Sequence, residues 1–135
     1  MANILLVEDE EQLRSMLKMV LERAGHEVQE AVNGKKALDA LNLSPADLIL
    51  TDLIMPDKEG IELIMEARRS YPKVKIIAMS GGGRINSKEN YLKLAKKFGA
   101  DYVIAKPFSN REILAGINTV LEPLRANEVK LESKS

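Results

Sequence analysis

Asp47-Leu48-Ile49-Leu50-Thr51-Asp52-Leu53-Ile54-Met55-Pro56 is the stretch on which the fold turns. Leu48 to Thr51 carry no charge, as suits a central strand buried on both faces. Asp52 ends the run, and Pro56 and Gly60 then break the pattern. A carboxylate closing a buried strand stands at the lip of a sheet, where open α/β folds place their ligands. Working outward, Ile4 to Val7 is equally apolar and is closed by Glu8 and Asp9. Val74 to Met79 is closed by Ser80, and Asp101 to Ala105 by Lys106 with Pro107 directly behind it. These strand ends bring three acids, a hydroxyl and a lysine to one rim.

The segments between them have the 3.6-residue period of helices. After the acidic run Glu8 to Glu11, the residues Leu13, Met16, Leu17, Val20, Leu21 and Ala24 predict one apolar face, with Gly25 as its stop. His26 to Ala31 is a more polar strand, expected near the sheet edge. Asn33 is a cap for a short helix carrying Ala37, Leu38 and Leu41. Ile61, Ile64 and Met65 are expected to face inward from a third helix ended by Tyr71-Pro72, and Tyr91, Leu94, Ala95 and Phe98 from a fourth. Ser109 with Glu112 is a capping-box signature before Ile113, Leu114, Ile117, Val120 and Leu121. The six methionines fall mostly at core spacing. Strands alternating with helices predict an α/β fold, a flavodoxin-like doubly wound five-stranded parallel sheet of order 2-1-3-4-5 with five helices. The switch point of that order lies between the strands ending in Glu8-Asp9 and in Asp52.

The chain has 135 residues, one domain's length, with 45% hydrophobic and 30% charged residues. Twenty Lys+Arg balance twenty Asp+Glu, so overall charge gives no argument for nucleic acid or an anionic membrane. There is no cysteine to build a disulfide, thiolate metal site or thiol nucleophile, and one histidine, His26, cannot build a His-rich metal site. The apolar run after Met1 is too short for a signal peptide, and no segment has the length of a membrane span. A reducing cytoplasm is the expected compartment. Asn33-Gly34-Lys35 fails as a phosphate-binding loop, because Gln29 stands where that motif needs glycine and Lys36 where it needs Ser or Thr. Arg84, Lys88, Lys93, Lys96 and Lys97 predict a solvated basic face on the fourth helix.

Three carboxylates brought to ~5 Å repel pairwise by ~3 kcal/mol at an effective dielectric of 20. Such a cluster either holds protons or binds a cation. Oxygen donors without His or Cys favour Mg²⁺. Lys106 supplies a movable positive charge for a phosphoryl oxygen, and Ser80 a hydroxyl donor. Asp52 is then the natural nucleophile, since aspartyl phosphate is established carboxylate chemistry.

The chain resembles the receiver domains of two-component response regulators from about Asn3 to Leu121. The motifs that carry the likeness are Leu-Val-Glu-Asp at 6–9, Asp-Leu-Ile-Met-Pro at 52–56, Met-Ser-Gly at 79–81 and Lys-Pro-Phe at 106–108. The resemblance implies that Asp52 accepts a phosphoryl group from a phosphohistidine on a histidine kinase or a histidine phosphotransfer protein. It implies Mg²⁺ held by Asp9, by Glu8 through water, by Asp52 and by the Ile54 backbone carbonyl. Ser80 would contact the phosphoryl group, Lys106 would bridge to one of its oxygens, and the bond before Pro107 would be cis. The implied module is not an enzyme in the usual sense, although autophosphorylation and slow autodephosphorylation are expected of it. It signals through the last two helices and the last strand, without nucleic acid or membrane. A phosphorylation-linked homodimer stays open.

Three positions depart from the family pattern. Val103 stands where an aromatic switch residue is common, and Tyr102 falls on the opposite strand face. Gly81–Gly83 begin a connection longer than usual, and Ile54 presents an apolar side chain expected to slow hydrolysis. Two other classes compete with the receiver. A haloacid dehalogenase-like phosphatase would need a second Asp where Ile54 stands, and a pseudo-receiver binding module would be expected to lack Asp52, the acidic pair or Lys106. The domain is expected over 1–124, with a polar tail over 125–135 that frays. Met1 is read as a genuine start, and the chain as a stand-alone regulator or a receiver cut from a larger protein.

Overall fold

The computed structural model describes residues 2–53, 59–80, 93 and 96–134, the side chains of Glu59, Ser80 and 123–134 excepted. Five parallel strands, β1 (Asn3–Val7), β2 (Glu27–Ala31), β3 (Leu48–Asp52), β4 (Lys75–Ser80) and β5 (Tyr102–Ala105), form one sheet of order β2-β1-β3-β4-β5. Five helices cover it: α1 (Glu11–Arg23), α2 (Gly34–Leu43), α3 (Glu59–Ser70), α4, of which 93 and 96–98 are described, and α5 (Asn110–Lys134). This is the flavodoxin-like arrangement read from the sequence.

Strand alternation sorts the core into two layers. Ile4, Leu6, Leu48, Leu50, Ile77 and Met79 face one side, where Leu17 and Leu21 of α1 and Ile113 and Ile117 of α5 cover them. Leu5, Val7, Ile49, Ile76 and Ala78 face the other, covered by Ala37 and Leu41 of α2 and Leu63, Ile64 and Ala67 of α3, with Phe98 packed against them. All five residues of β3 are buried, as a central parallel strand requires, whereas β2 is mostly exposed at the edge.

Helix ends follow their local chemistry. Gly25 takes a φ of 96° and its N–H donates to the Glu22 carbonyl, closing α1 in a left-handed turn that favours glycine. Asn33 Oδ1 accepts from the Lys36 N–H at 2.8 Å. Ser109 and Glu112 form both bonds of a capping box, Ser109 N–H to Glu112 Oε1 at 3.2 Å and Glu112 N–H to Ser109 Oγ at 3.1 Å.

Several expectations are corrected. Met16 and Ala24 are exposed on α1, and Met65 is exposed on α3, where Leu63 is buried instead. Of the methionines, Met16, Met19 and Met65 are exposed and Met79 is buried, so core spacing overstated their burial. A helix lying on a flat sheet buries a narrow stripe, and residues one step of about 100° off it reach water. Helix α5 continues from the domain into the polar stretch, as far as Lys134. Between Leu124 and Lys134 there is no glycine or proline, and Leu, Arg, Ala, Glu and Lys all favour helix. Tyr91, Leu94, Ala95, Arg84, Lys88 and Gly81–Gly83 lie outside the described residues. Lys93, Lys96 and Lys97 are exposed, as a solvated basic face requires.

Two aspartates set the strand starts at the end of the sheet remote from the acidic rim. Asp47 accepts from the Asn3 N–H at 2.8 Å, and Asp101 accepts from the Ile76 N–H at 2.8 Å. Arg68 of α3 gathers the second corner, donating to the carbonyls of Gly99, Pro72 and Val74 and to Asp101 Oδ2. Arg68→Met is expected to cost about 2 kcal/mol, the order of a few partly solvated charge-assisted bonds. Urea unfolding checks this, and a midpoint equal to that of the wild type would contradict it.

Candidate functional site: an acidic rim with one lysine

The site is built by strand ends that stop in register. Val7 pairs with Thr51 and with Ala31, and Asp52 pairs with Met79, so the residues that follow emerge at one level. The ladders extend one residue further through Glu8 N–H to the Ala31 carbonyl at 3.1 Å and Leu53 N–H to the Met79 carbonyl at 2.8 Å. Glu8 and Asp52 are thereby held as backbone-fixed, almost fully buried acids, while Asp9 remains exposed. One carboxylate oxygen from each of Glu8, Asp9 and Asp52 lies within 4.8 Å of the others.

Lys106, at the end of β5, reaches both buried acids, with Nζ 2.9 Å from Asp52 Oδ2 and 3.2 Å from Glu8 Oε1. The Lys106–Pro107 peptide bond is cis. Glu8 Oε2 accepts from the Glu10 N–H at 3.1 Å, so its carboxylate also serves the start of α1. Thr51 Oγ1 donates to the Asp52 carbonyl at 3.1 Å, and Arg14 Nη1 to the Glu8 carbonyl at 2.9 Å. Reading by residue type missed Thr51 and Arg14, because both act on backbone carbonyls. Arg14 had one visible signal, a lone cation one turn into the helix that follows the acidic pair. The Ser80 side chain and Ile54 lie outside the described residues, although the backbone of Ser80 closes β4.

Burial pushes the Glu8 carboxyl above its ordinary value of 4.5; Asp9 and Asp52 push it the same way, against the Glu10 amide and Lys106. Burial alone would lower Lys106, but Asp52 and then Glu8 more than offset it and hold the ammonium above its usual 10.5. The signs follow from linkage. The stability that raised Lys106 contributes is full below 10.5 and is lost as pH rises through its folded value. Glu8 binds its proton more tightly folded than unfolded, so its contribution is full below 4.5 and lost as pH rises through its folded value. In chelator, Glu8→Gln is therefore expected to stabilise the protein at pH 7 by about 0.5–2 kcal/mol, on the scale of relieved site strain. Thermal melts should show the gain shrinking as pH falls toward 4.5. An equal gain at both ends would contradict the account.

Three clustered oxygen donors without nitrogen or sulfur are chemically suited to a hard divalent cation such as Mg²⁺. A lysine bridging two of them can be released when that cation neutralises the acids.

Comparison with known proteins agrees with this geometry. Residues 4–118 match the model of the response regulator receiver domain. The transcriptional regulatory protein CpxR of Escherichia coli K12 is 37% identical over 121 residues, covering 90% of this chain and 50% of CpxR. The transcriptional regulatory protein SrrA of Staphylococcus aureus is 33% identical over 127 residues, covering 94% of this chain and 51% of SrrA. The chain thus spans about half the length of these curated relatives. Among solved structures, a CheY-like receiver domain protein from Methanospirillum hungatei superposes with a TM-score of 0.82 at 31% identity, covering 93% of this chain and 97% of that one. Chemotaxis protein CheY4 of Vibrio cholerae gives 0.79 at 29%, covering 90% and 99%. With its rim of Glu8, Asp9, Asp52 and Lys106 on a 2-1-3-4-5 sheet, the chain belongs to the response regulator receiver domain family.

Proposed function

We propose that Asp52 is the phosphoacceptor of a Mg²⁺-dependent switch. The observation that carries this reading is the convergence of three carboxylates within 4.8 Å, with Lys106 Nζ 2.9 Å from Asp52. A receiver of this family implies a cognate histidine kinase; that the donor is its phosphohistidine or that of a histidine phosphotransfer protein is part of the proposal. An Asp52 carboxylate oxygen attacks phosphorus, the bond from phosphorus to the donor's imidazole nitrogen breaks, and the departing imidazole takes up a proton from solvent. Asp9, Glu8, Asp52 and the Ile54 carbonyl would hold Mg²⁺, which supplies charge neutralisation to the transferring group. Lys106 leaves its two carboxylates for a phosphoryl oxygen, and Ser80 donates its hydroxyl to another.

The switch is proposed to be read on α4, β5 and α5 by a protein partner. Tyr102 already lies against Gly116 on the α5 side, while Val103 packs into the opposite layer. Among the described residues no helix is long and apolar enough to cross a membrane. The test is intact mass after exposure to acetyl phosphate with and without Mg²⁺. One added phosphoryl group, only with Mg²⁺, is expected. Neither that gain nor beryllofluoride binding would mean a pseudo-receiver that acts by binding alone.

A further inference from the structure

Arg14 stands outside the group of residues that would meet cation or phosphoryl group, yet it is tied to the acidic pair more directly than any other cation of α1 described. Its Nη1 donates to the Glu8 carbonyl at 2.9 Å, and its Nε lies 3.3 Å from Glu30 Oε1 on β2. Glu30 also takes Lys18 Nζ at 3.4 Å through its other oxygen. The Arg14 side chain is mostly buried, with an exposure of 15%, and the backbone N–H of Arg14 donates to the Glu10 carbonyl at 2.9 Å in the first turn of α1.

The acceptor matters. The Glu8 carbonyl belongs to the peptide plane that joins Glu8 to Asp9. Its orientation sets the position and direction of the Asp9 N–Cα bond, which leaves only the torsions of Asp9 itself to aim its side chain. On the other side of that residue, Glu8 N–H is held by the Ala31 carbonyl at 3.1 Å. The backbone of Glu8 is therefore clamped on both sides, its N–H by the sheet and its carbonyl by Arg14. Three carboxylates at this separation would otherwise relax apart, because their mutual repulsion favours rotating the exposed Asp9 into water.

Glu30 has a distinct part. An arginine without a counter-charge beside three acids would turn into them and compete with a divalent cation. Glu30 holds the guanidinium on the β2 side, where it presents a hydrogen bond to the carbonyl without neutralising the carboxylates. Leu6 pairs with Glu30 in the β1–β2 register, which places this anchor two residues before the acidic pair.

We propose that Arg14, anchored by Glu30, is a positioning residue that presets the Glu8–Asp9 peptide for divalent cation binding. This rests on the cation-dependent phosphoacceptor reading of the site. Outer-shell groups that orient ligands typically matter by 10–100-fold in metal affinity.

The experiment is calorimetric titration of the whole chain with Mg²⁺, for the wild type, Arg14→Met, Arg14→Lys and Glu30→Gln. Arg14→Met is expected to weaken Mg²⁺ by ~10-fold or more, and Arg14→Lys to recover part of the loss through a single donor. Glu30→Gln, which leaves Arg14 in place but frees it, should weaken Mg²⁺ as well. With acetyl phosphate, the Mg²⁺ concentration for half-maximal phosphoryl uptake should rise by the same factor. The rate at saturating Mg²⁺ should stay within about twofold, a split that general loss of structure would not produce. Wild-type Mg²⁺ affinity in Arg14→Met overturns the proposal; if that variant does not fold, wild-type affinity in both Arg14→Lys and Glu30→Gln does so. Wild-type protein that binds Mg²⁺ but takes up no phosphoryl group would sink the phosphoacceptor reading while the Arg14 result is still read from affinity. Wild-type protein that binds no Mg²⁺ overturns both.

Discussion

Asp52→Asn is expected to abolish the Mg²⁺-dependent phosphoryl gain while leaving the fold intact. An amide oxygen is a far weaker nucleophile than a carboxylate, so the bond to phosphorus does not form at position 52. The shape of the side chain is conserved, and Lys106 Nζ, 2.9 Å from Asp52 Oδ2, can still donate to an amide oxygen there. Stability should not fall, because the substitution removes one of three acids lying within 4.8 Å. Intact mass after acetyl phosphate and a thermal melt check the two halves together. Undiminished uptake in the variant would place the acceptor elsewhere, and lost uptake with a collapsed melt would leave the chemistry unassigned to Asp52.

The second large effect is expected at Gly60, next to the start of α3. A methyl group there would stand 2.2 Å from the Asp52 carbonyl oxygen and 2.6 Å from that of Leu53. Both neighbours are backbone at the end of a fully buried strand, so neither can swing away as a flexible side chain would. Gly60→Ala must therefore move α3 or the segment that carries Asp52. We expect a loss of about 3 kcal/mol in urea unfolding, the upper part of the range for overpacking. Phosphoryl uptake should also fall, since misplacement by ~1 Å can cost ~100-fold in rate. A change below about 1 kcal/mol, the size of an ordinary substitution, would mean that the close approach is not obligatory.

The architecture was legible because the strands announce their ends. Ile4 to Val7 and Leu48 to Thr51 are uncharged until an acid interrupts them, and that interruption marks both the sheet's rim and its chemistry. Lys106 was legible for the same reason, and its bridge to Glu8 and Asp52 follows from strand order. Helix faces were less legible. Met16 and Met65 fit an apolar period, but the sheet covers a narrower stripe than hydrophobicity alone marks out. The work of Asp47 and Asp101 was not legible, because it depends on which neighbouring strand start they meet. Arg14 was hidden in the same way: its partner is a carbonyl six residues back, which every residue type offers equally. The stretch after Leu124 lacks an apolar face, yet its helix formers continue α5, since propensity and burial are separate signals.

The most direct test of the central claim is to reduce the phosphorylated protein with borohydride and map the product by peptide mass. Borohydride converts an aspartyl phosphate to homoserine, which survives digestion and marks the acceptor. The account predicts homoserine at position 52 alone, formed only when both Mg²⁺ and phosphoryl donor were present. Homoserine at another aspartate, with position 52 unmodified, would contradict it.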